Sequence, residues 1–245
     1  MMLKRPLTTL LKFVSGRSRK QPLPVDLDPA ARRIVSAARP YTMTSVERLI
    51  ALVDAIRYVA TARIPGDIVE CGVWRGGSSM AAALSLLDCD DTQRTLYLYD
   101  TFEGMNQPGA EDRDYAGASA ATQLNRTPKG HGIWCEASEA DVRRNMESTG
   151  YPTDRIRYVR GPVEETIPRI IPNAIALLRL DTDWYDSTRH ELHHLYPRLA
   201  RGGVLIIDDY GHWQGARKAV DEYLRDYQGL YLHRVDYSCR LLVKT

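Results

Sequence analysis

Two stretches of this chain share one design, and that design limits what it can fold into. Residues 174–178 (AIALL) are an apolar run that leads through Arg179 and Leu180 to Asp181 and Asp183. Residues 203–207 (GVLII) repeat it and stop at Asp208 and Asp209. Short apolar runs bounded by turn residues read as buried strands. Two such strands would bring three or four carboxylates to one edge of a sheet. Gathering carboxylates costs free energy unless a cation, a proton or solvent compensates. A hard divalent cation such as Mg2+ is the simplest compensation for an all-oxygen set. Asp181 then serves as a ligand with Asp208 and Asp209 opposite it, which leaves Asp183 free to act as a base.

The rest of the chain alternates strand and helix patterns around these two runs. Residues 45–60 carry Leu49, Leu52, Val53, Ile56 and Val59 at helical spacing, with Ser45 or Thr44 as N-cap, and Pro65-Gly66 closes the segment. Strands are predicted at 67–73, 95–100, 155–160 and 174–180, and a fifth at 203–207. Helices are predicted at 77–87, 138–149, 163–170, 187–199 and 214–227, the fourth ended by Arg201-Gly202-Gly203. Residues 231–235 and 240–243 form a closing antiparallel pair. A shorter helix is expected at 29–38. This alternation predicts an α/β fold with a mostly parallel sheet, whose ligand site lies at the carboxyl ends of the strands. Residues 101–135 are glycine-rich and charged, too long for an ordinary connection, and read as a working loop or lid.

Composition excludes several classes. The 245 residues fit one large domain, and the formal net charge of +2 gives no support to nucleic-acid binding. The exception is a basic cluster at Lys4, Arg5, Lys12, Arg17, Arg19 and Lys20, followed by Pro22, Pro24, Pro29 and Pro40. Residues 1–40 therefore read as an N-terminal extension and 41–245 as the catalytic unit. No stretch approaches the ~18 apolar residues of a membrane span. Residues 7–14 are too short and too interrupted for a signal peptide. Cys71, Cys89, Cys135 and Cys239 are scattered, without a CxxC pair, which predicts free thiols in a reducing, cytoplasmic setting.

Other motifs carry chemistry of their own. The first strand runs into Glu70-Cys71-Gly72-Val73-Trp74-Arg75-Gly76-Gly77-Ser78-Ser79, a glycine-rich turn that opens a helix and lets a ligand approach the backbone. Its spacing is neither the G-x-G-x-x-G nor the phosphate-loop pattern. An acid at the end of the second strand, Asp100, is placed to accept ribose hydroxyls of a nucleoside. Asp181-Thr182-Asp183 is also a D-x-D, which keeps a metal-dependent glycosyltransferase open as an alternative. His190-Glu191-Leu192-His193-His194 contains H-E-x-x-H, the signature of a zinc hydrolase. No third ligand motif follows it, so those residues read as polar groups of a helix. A non-catalytic binding module is the remaining alternative.

Four stretches resemble the macrocin O-methyltransferase family: VECGVWRGGSS (69–79), YDTFEGM (99–105), RLDTDWYDST (179–188) and IIDDYG (206–211). YTMTSVERL (41–49) is similar to that family's N-terminal lid element. The resemblance spans residues 40–235 and does not extend to the first 35. It implies a class I methyltransferase, Rossmann-like, with a seven-stranded sheet and helices on both faces. It also implies a sugar-modifying enzyme of antibiotic biosynthesis, dependent on S-adenosylmethionine and Mg2+ and assembled as a homodimer or larger oligomer. Carried over, Glu70, Gly72 and Ser78 line the methionine part of the cofactor. Asp100 holds the ribose, with Phe102, Glu103 and Gly104 beside it. Asp181 borders the cofactor and joins Asp208 and Asp209 as metal ligands, and Asp183 is the general base. The acceptor is then a small-molecule glycoside, covered by residues 41–45 and the 101–135 loop.

Overall fold

The computed structural model describes residues 22–245; the basic cluster of residues 4–20 lies outside them. Seven strands form one sheet: β1 (Asp67–Cys71), β2 (Leu96–Asp100), β3 (Ile156–Arg160), β4 (Ile175–Leu180), β5 (Leu199–Ile207), β6 (His233–Arg234) and β7 (Arg240–Val243). The order across the sheet is β3-β2-β1-β4-β5-β7-β6. The first five strands are parallel, and β7 pairs antiparallel with both β5 and β6. The chain leaves β1 in one direction through β2 and β3, then returns to place β4 on its other side. That reversal puts a crevice above the carboxyl ends of β1 and β4.

Period-two alternation sorts the sheet into two cores. Ile68, Leu177, Val204 and Ile206 face a layer made by α1 (Pro29–Ala38), α2 (Val46–Thr61), α3 (Gly77–Asp88) and, further along the chain, α5 (Glu139–Glu147). Val69, Cys71, Leu178, Leu180, Leu205 and Ile207 face α6 (Val163–Thr166), α7 (Tyr185–Leu195) and α8 (Gln214–Leu224). On the first face the alternation continues through Glu70, Arg179 and Asp208, so three charged side chains follow the apolar ones toward the crevice. α1 contributes Ala31, Ile34, Val35 and Ala38 to the same core as α2 and α3. Asp28 caps it by accepting from the Ala30 and Ala31 N–H groups at 3.0 and 2.9 Å. Ser45 and Ser138 cap α2 and α5 in the same way.

The structure departs from the sequence pattern in several places, and the helix predicted at 163–170 ends at Thr166, ahead of Pro168. The predicted helix 187–199 stops at Leu195, because Pro197 has no N–H to continue it and Tyr196–Arg198 tighten into a 3-10 turn. β5 begins there, and Gly202 and Gly203 lie inside it at a register shift opposite Ile175/Leu177 rather than ending a helix. The 101–135 segment is also not a plain loop. It contains α4 (Ala120–Arg126) and a 3-10 turn at Gly132–Trp134. Ala120 and Leu124 pack with Trp184, Trp213 and Ala216 into a third, smaller core. At seven residues α4 is too short to show a periodic signal, and the two tryptophans that hold it come from distant parts of the chain.

Candidate active site

One cleft of ≈ 570 Å3 opens over the carboxyl ends of the strands and collects residues from the glycine turn, the end of β2, both acidic strand ends and the 41–45 segment. Glu70, Gly72, Ser78, Asp100, Gly104, Asp181, Asp183, Asp208 and Asp209 line it. Phe102 and Glu103 do not. Phe102 is buried in the core under α3, and Glu103 is exposed and ion-paired with Arg160. The segment after α1 forms part of the wall through Thr42, Met43 and Thr44. It crosses the start of α3 so closely that a Cβ on Gly77 would stand 2.6 Å from the Tyr41 carbonyl carbon.

The glycine turn after β1 is shaped by packing as well as by access. Gly72 has φ +82, and a Cβ there would lie 1.9 Å from the Asp181 carbonyl oxygen. The Asp181 N–H also donates to the Cys71 carbonyl at 2.9 Å. Glycine at position 72 is therefore required by the neighbouring strand end. Asp100 fastens the turn from the other side. Val73 and Trp74 N–H groups donate to its Oδ2 at 2.7 and 2.9 Å, and Phe102 N–H donates to Oδ1 at 2.7 Å. Oδ2 is taken up by two of these bonds, and Oδ1 also accepts from Thr101 Oγ1 at 3.4 Å. Burial raises the Asp100 pKa, opposed by the three backbone donors.

Sequence reasoning missed the cations that answer the carboxylates. Arg179 is 2% exposed, in the middle of an otherwise apolar strand. It stands opposite Glu70 in the parallel β1–β4 register. Its Nη1 donates to Glu70 Oε1 at 2.8 Å and to Asp181 Oδ2 at 2.6 Å. Nη2 donates to Asp208 Oδ1 at 2.6 Å and to Thr44 Oγ1 at 3.1 Å. Arg48 of α2 pairs with Asp208 Oδ2 and, at 2.7 Å, with Asp236. Ser79, rather than Ser78, donates to Glu70 Oε2. A charged residue inside a buried run was the available signal for Arg179; nothing local distinguishes Arg48 from a surface arginine.

The two guanidiniums do not balance the acids around them. Glu70, Asp181, Asp183, Asp208, Asp209 and Asp236 are six carboxyls against two arginines. Asp183 and Asp209 stand against each other and shift each other's ionisation. Burial pushes Asp183 up to about 7, and burial with its acidic neighbours drives Asp181 and Asp209 well above the usual carboxylate range. Asp209 Oδ2 is buried with no partner. Asp181, Asp208 and Asp209 each offer an oxygen, all within 4.8 Å of one another, and they are the one such group among the described residues. Asp181 has an oxygen that Arg179 leaves free, and each Asp208 oxygen keeps a lone pair beyond its arginine. Surplus negative charge, an orphaned oxygen and an all-oxygen donor set fit a hard dication. Asp183 itself is held in the left-handed region at φ +69, a conformation that aspartate tolerates better than most residues.

The H-E-x-x-H residues are not gathered into a metal site. The His190 ring Nε2 meets the Ile167 carbonyl at 2.9 Å. Glu191 points into the core, where its Oε1 accepts from Thr182 Oγ1 at 3.0 Å. No helix among the described residues is long and apolar enough to cross a membrane.

Comparison with known proteins gives a consistent picture. The profile of the macrocin O-methyltransferase family (TylF) matches residues 12–242, beginning well before the first stretch of visible resemblance at residue 41. The chain is 37% identical over 191 residues to the 8-demethyl-8-(2,3-dimethoxy-alpha-L-rhamnosyl)-tetracenomycin-C 4'-O-methyltransferase of Streptomyces olivaceus, covering 78% of this chain and 69% of that one. It is 35% identical over 190 residues to the mycinamicin III 3''-O-methyltransferase of Micromonospora griseorubida, covering 78% and 72%. It is 33% identical over 186 residues to the demethyldecarbamoylnovobiocin O-methyltransferase of Streptomyces niveus, covering 76% and 68%. Among solved structures, the O-methyltransferase NovP superposes with a TM-score of 0.73 at 29% identity, over 84% of this chain and 82% of that one. The calicheamicin methyltransferase CalS11, at 20% identity and a TM-score of 0.62 over 94% and 99%, shares the fold.

Proposed function

This chain belongs to the macrocin O-methyltransferase family, and on that premise we propose that it methylates a hydroxyl of a sugar carried by a small natural product. It is an S-adenosylmethionine-dependent O-methyltransferase; the sugar acceptor, the divalent cation and the residue roles are our reading. The names of two relatives place the methyl at primed positions, 4' and 3'', and one names a rhamnosyl group outright. The observation that carries the chemistry is the convergence of Asp181, Asp208 and Asp209 oxygens within 4.8 Å, beside Asp183 and in the same cleft as the glycine turn. Family membership sets aside the glycosyltransferase and zinc-hydrolase alternatives.

In this reading Glu70, Gly72 and Ser78 border the amino-acid end of the cofactor, Asp100 accepts a ribose hydroxyl in place of the long Thr101 bond, and Gly104 lies beside it. Phe102 and Glu103 are left out because their side chains do not reach the cleft. S-adenosylmethionine supplies an electrophilic methyl group. A dication held by Asp181, Asp208 and Asp209 would supply Lewis acidity to the acceptor hydroxyl. Asp183 takes the hydroxyl proton as the oxygen bonds to the methyl, and a pKa near neutrality suits that task. Arg179 and Arg48 keep the carboxylates in place by ion pairs to their outer oxygens. Residues 41–45 and the α4 cap close over the cleft and exclude water, and a homodimer or larger assembly remains part of the proposal.

Two experiments test it. Transfer of labelled methyl from S-adenosylmethionine to rhamnosides is expected to cease in EDTA and to return with Mg2+, and calorimetry should show Mg2+ binding that Asp209→Asn removes. An undiminished rate in chelator would eliminate the cation. For the cofactor end, Asp100→Asn is expected to raise the Kd of S-adenosylhomocysteine about 10- to 100-fold, the cost of losing a hydrogen bond to a charged acceptor. Unchanged affinity would reject the ribose assignment.

A further inference from the structure

The carboxylate read as the base sits in a tight turn. Trp184 N–H donates to the Thr182 carbonyl at 2.8 Å, across Asp183 with its φ of +69. A three-residue turn with a positive φ at its centre is the rare, strained form. Strain of that kind persists where the surroundings over-determine the residue. On the downstream side the turn is pinned by Asp112, which is 2% exposed. Its Oδ1 accepts from Tyr185 N–H at 2.8 Å and its Oδ2 from Gly109 N–H at 2.7 Å. Trp184 gives α7 no side-chain cap of its own, so Asp112 caps that helix from the neighbouring segment.

On the upstream side the hold comes from Glu191, the acid of the H-E-x-x-H string. It lies on α7 and is fully buried, in the same core layer as Leu192 and Leu195. Thr182 Oγ1 donates to its Oε1 at 3.0 Å, while its Oε2 has no partner. Burial, with the acids Glu164 and Asp181 nearby, raises Glu191 well above the usual carboxylate range. A buried polar group left half satisfied destabilises a fold, and a leucine would suit these surroundings better. What Glu191 supplies instead is direction. Its one hydrogen bond goes to the residue between Asp181 and Asp183, and Thr182 lines the cleft whereas Glu191 does not.

We propose that Glu191 is a positioning residue for methyl transfer, which acts through the Thr182 hydroxyl to hold the strained turn that aims Asp183 at the acceptor. This rests on the reading of Asp183 as the base and adds to it what fixes the direction of that base. The acid of the H-E-x-x-H string then has a role in the reaction without binding a metal. Its cost to the fold is of the kind that functional sites carry for the sake of activity.

The test measures labelled methyl transfer to the rhamnoside that wild type accepts, with urea denaturation of each variant alongside. Glu191→Leu is expected to lower kcat about 10- to 100-fold, the scale of a small misplacement of a reacting group. The KM, the Kd of S-adenosylhomocysteine and the urea midpoint should hold, because the substitution takes an orphaned polar atom out of the core. Glu191→Gln keeps an acceptor toward Thr182 and should restore most of kcat. Thr182→Val breaks the same hydrogen bond from a half-buried position. Its loss should match that of Glu191→Leu, and the double variant should lose no more than either single. A wild-type kcat in Glu191→Leu, losses that add, or a fall in kcat matched by a collapse of the midpoint would reduce Glu191 to a filler of the core. Asp183→Asn separates this from the base reading. If it collapses turnover while Glu191→Leu does not, the positioning role alone is lost. If it turns over like wild type, the base reading fails and takes the positioning role with it.

Discussion

Asp183→Asn is expected to lower kcat and kcat/KM together by about 10²- to 10⁴-fold, the range attributed to a positioned general base. The substitution changes little else. Asparagine tolerates the left-handed backbone that Asp183 adopts at φ +69. Its amide also places a donor beside Asp209. Burial already disfavours the ionised Asp183 carboxyl, so a neutral amide should not weaken the folded protein. The Kd of S-adenosylhomocysteine should stay at its wild-type value, because the glycine turn and Asp100 lie on β1 and β2 rather than β4. Steady-state rates and calorimetry together decide the matter. Turnover at the wild-type level would remove the base role, and a change confined to KM would move Asp183 into uniform acceptor binding.

How much of this was legible beforehand depends on how local each signal is. The ends of most strands, the cap at Ser45 and the acids at 181, 183, 208 and 209 are set by short-range pattern and stand where the sequence puts them. The α4 cap was not legible, because its seven residues are held by Trp184 and Trp213 and not by their own periodicity. The family resemblance placed Phe102 and Glu103 beside Asp100, whereas Phe102, at a positive φ of 55, is packed in the core and Glu103 is paired with Arg160 at the surface. The glycines misled in a similar way: at Gly72 the passing Asp181 backbone demands the missing Cβ, whatever a ligand needs. The largest omission was the counter-charge. Which strand stands opposite Glu70 depends on sheet order and register, and neither can be read from residues 67–71 alone.

That omission supplies the other large effect. Arg179→Met keeps the apolar stem and removes the guanidinium charge that Glu70, Asp181 and Asp208 share at 2.6–2.8 Å. Breaking a buried ion pair by deleting one partner costs about 3–5 kcal/mol, because the remaining charge is left uncompensated. A loss of that order is expected in urea denaturation carried out in chelator. Glu70 and Asp181 then lack a cation and Asp208 keeps only Arg48, so Mg2+ should raise the midpoint of the variant more than that of wild type. Adding Asp208→Asn should recover part of the loss, since it withdraws one uncompensated charge, and the double-mutant cycle measures the coupling. Arg48 limits the recovery, because it also depends on Asp208. A loss below about 1 kcal/mol, the scale of an exposed pair, would mean that Glu70 and Asp181, which burial already pushes up, are protonated in the folded protein. In that case Arg179 would be a hydrogen-bond donor to neutral carboxyls, and the surplus charge that calls for a dication would be gone.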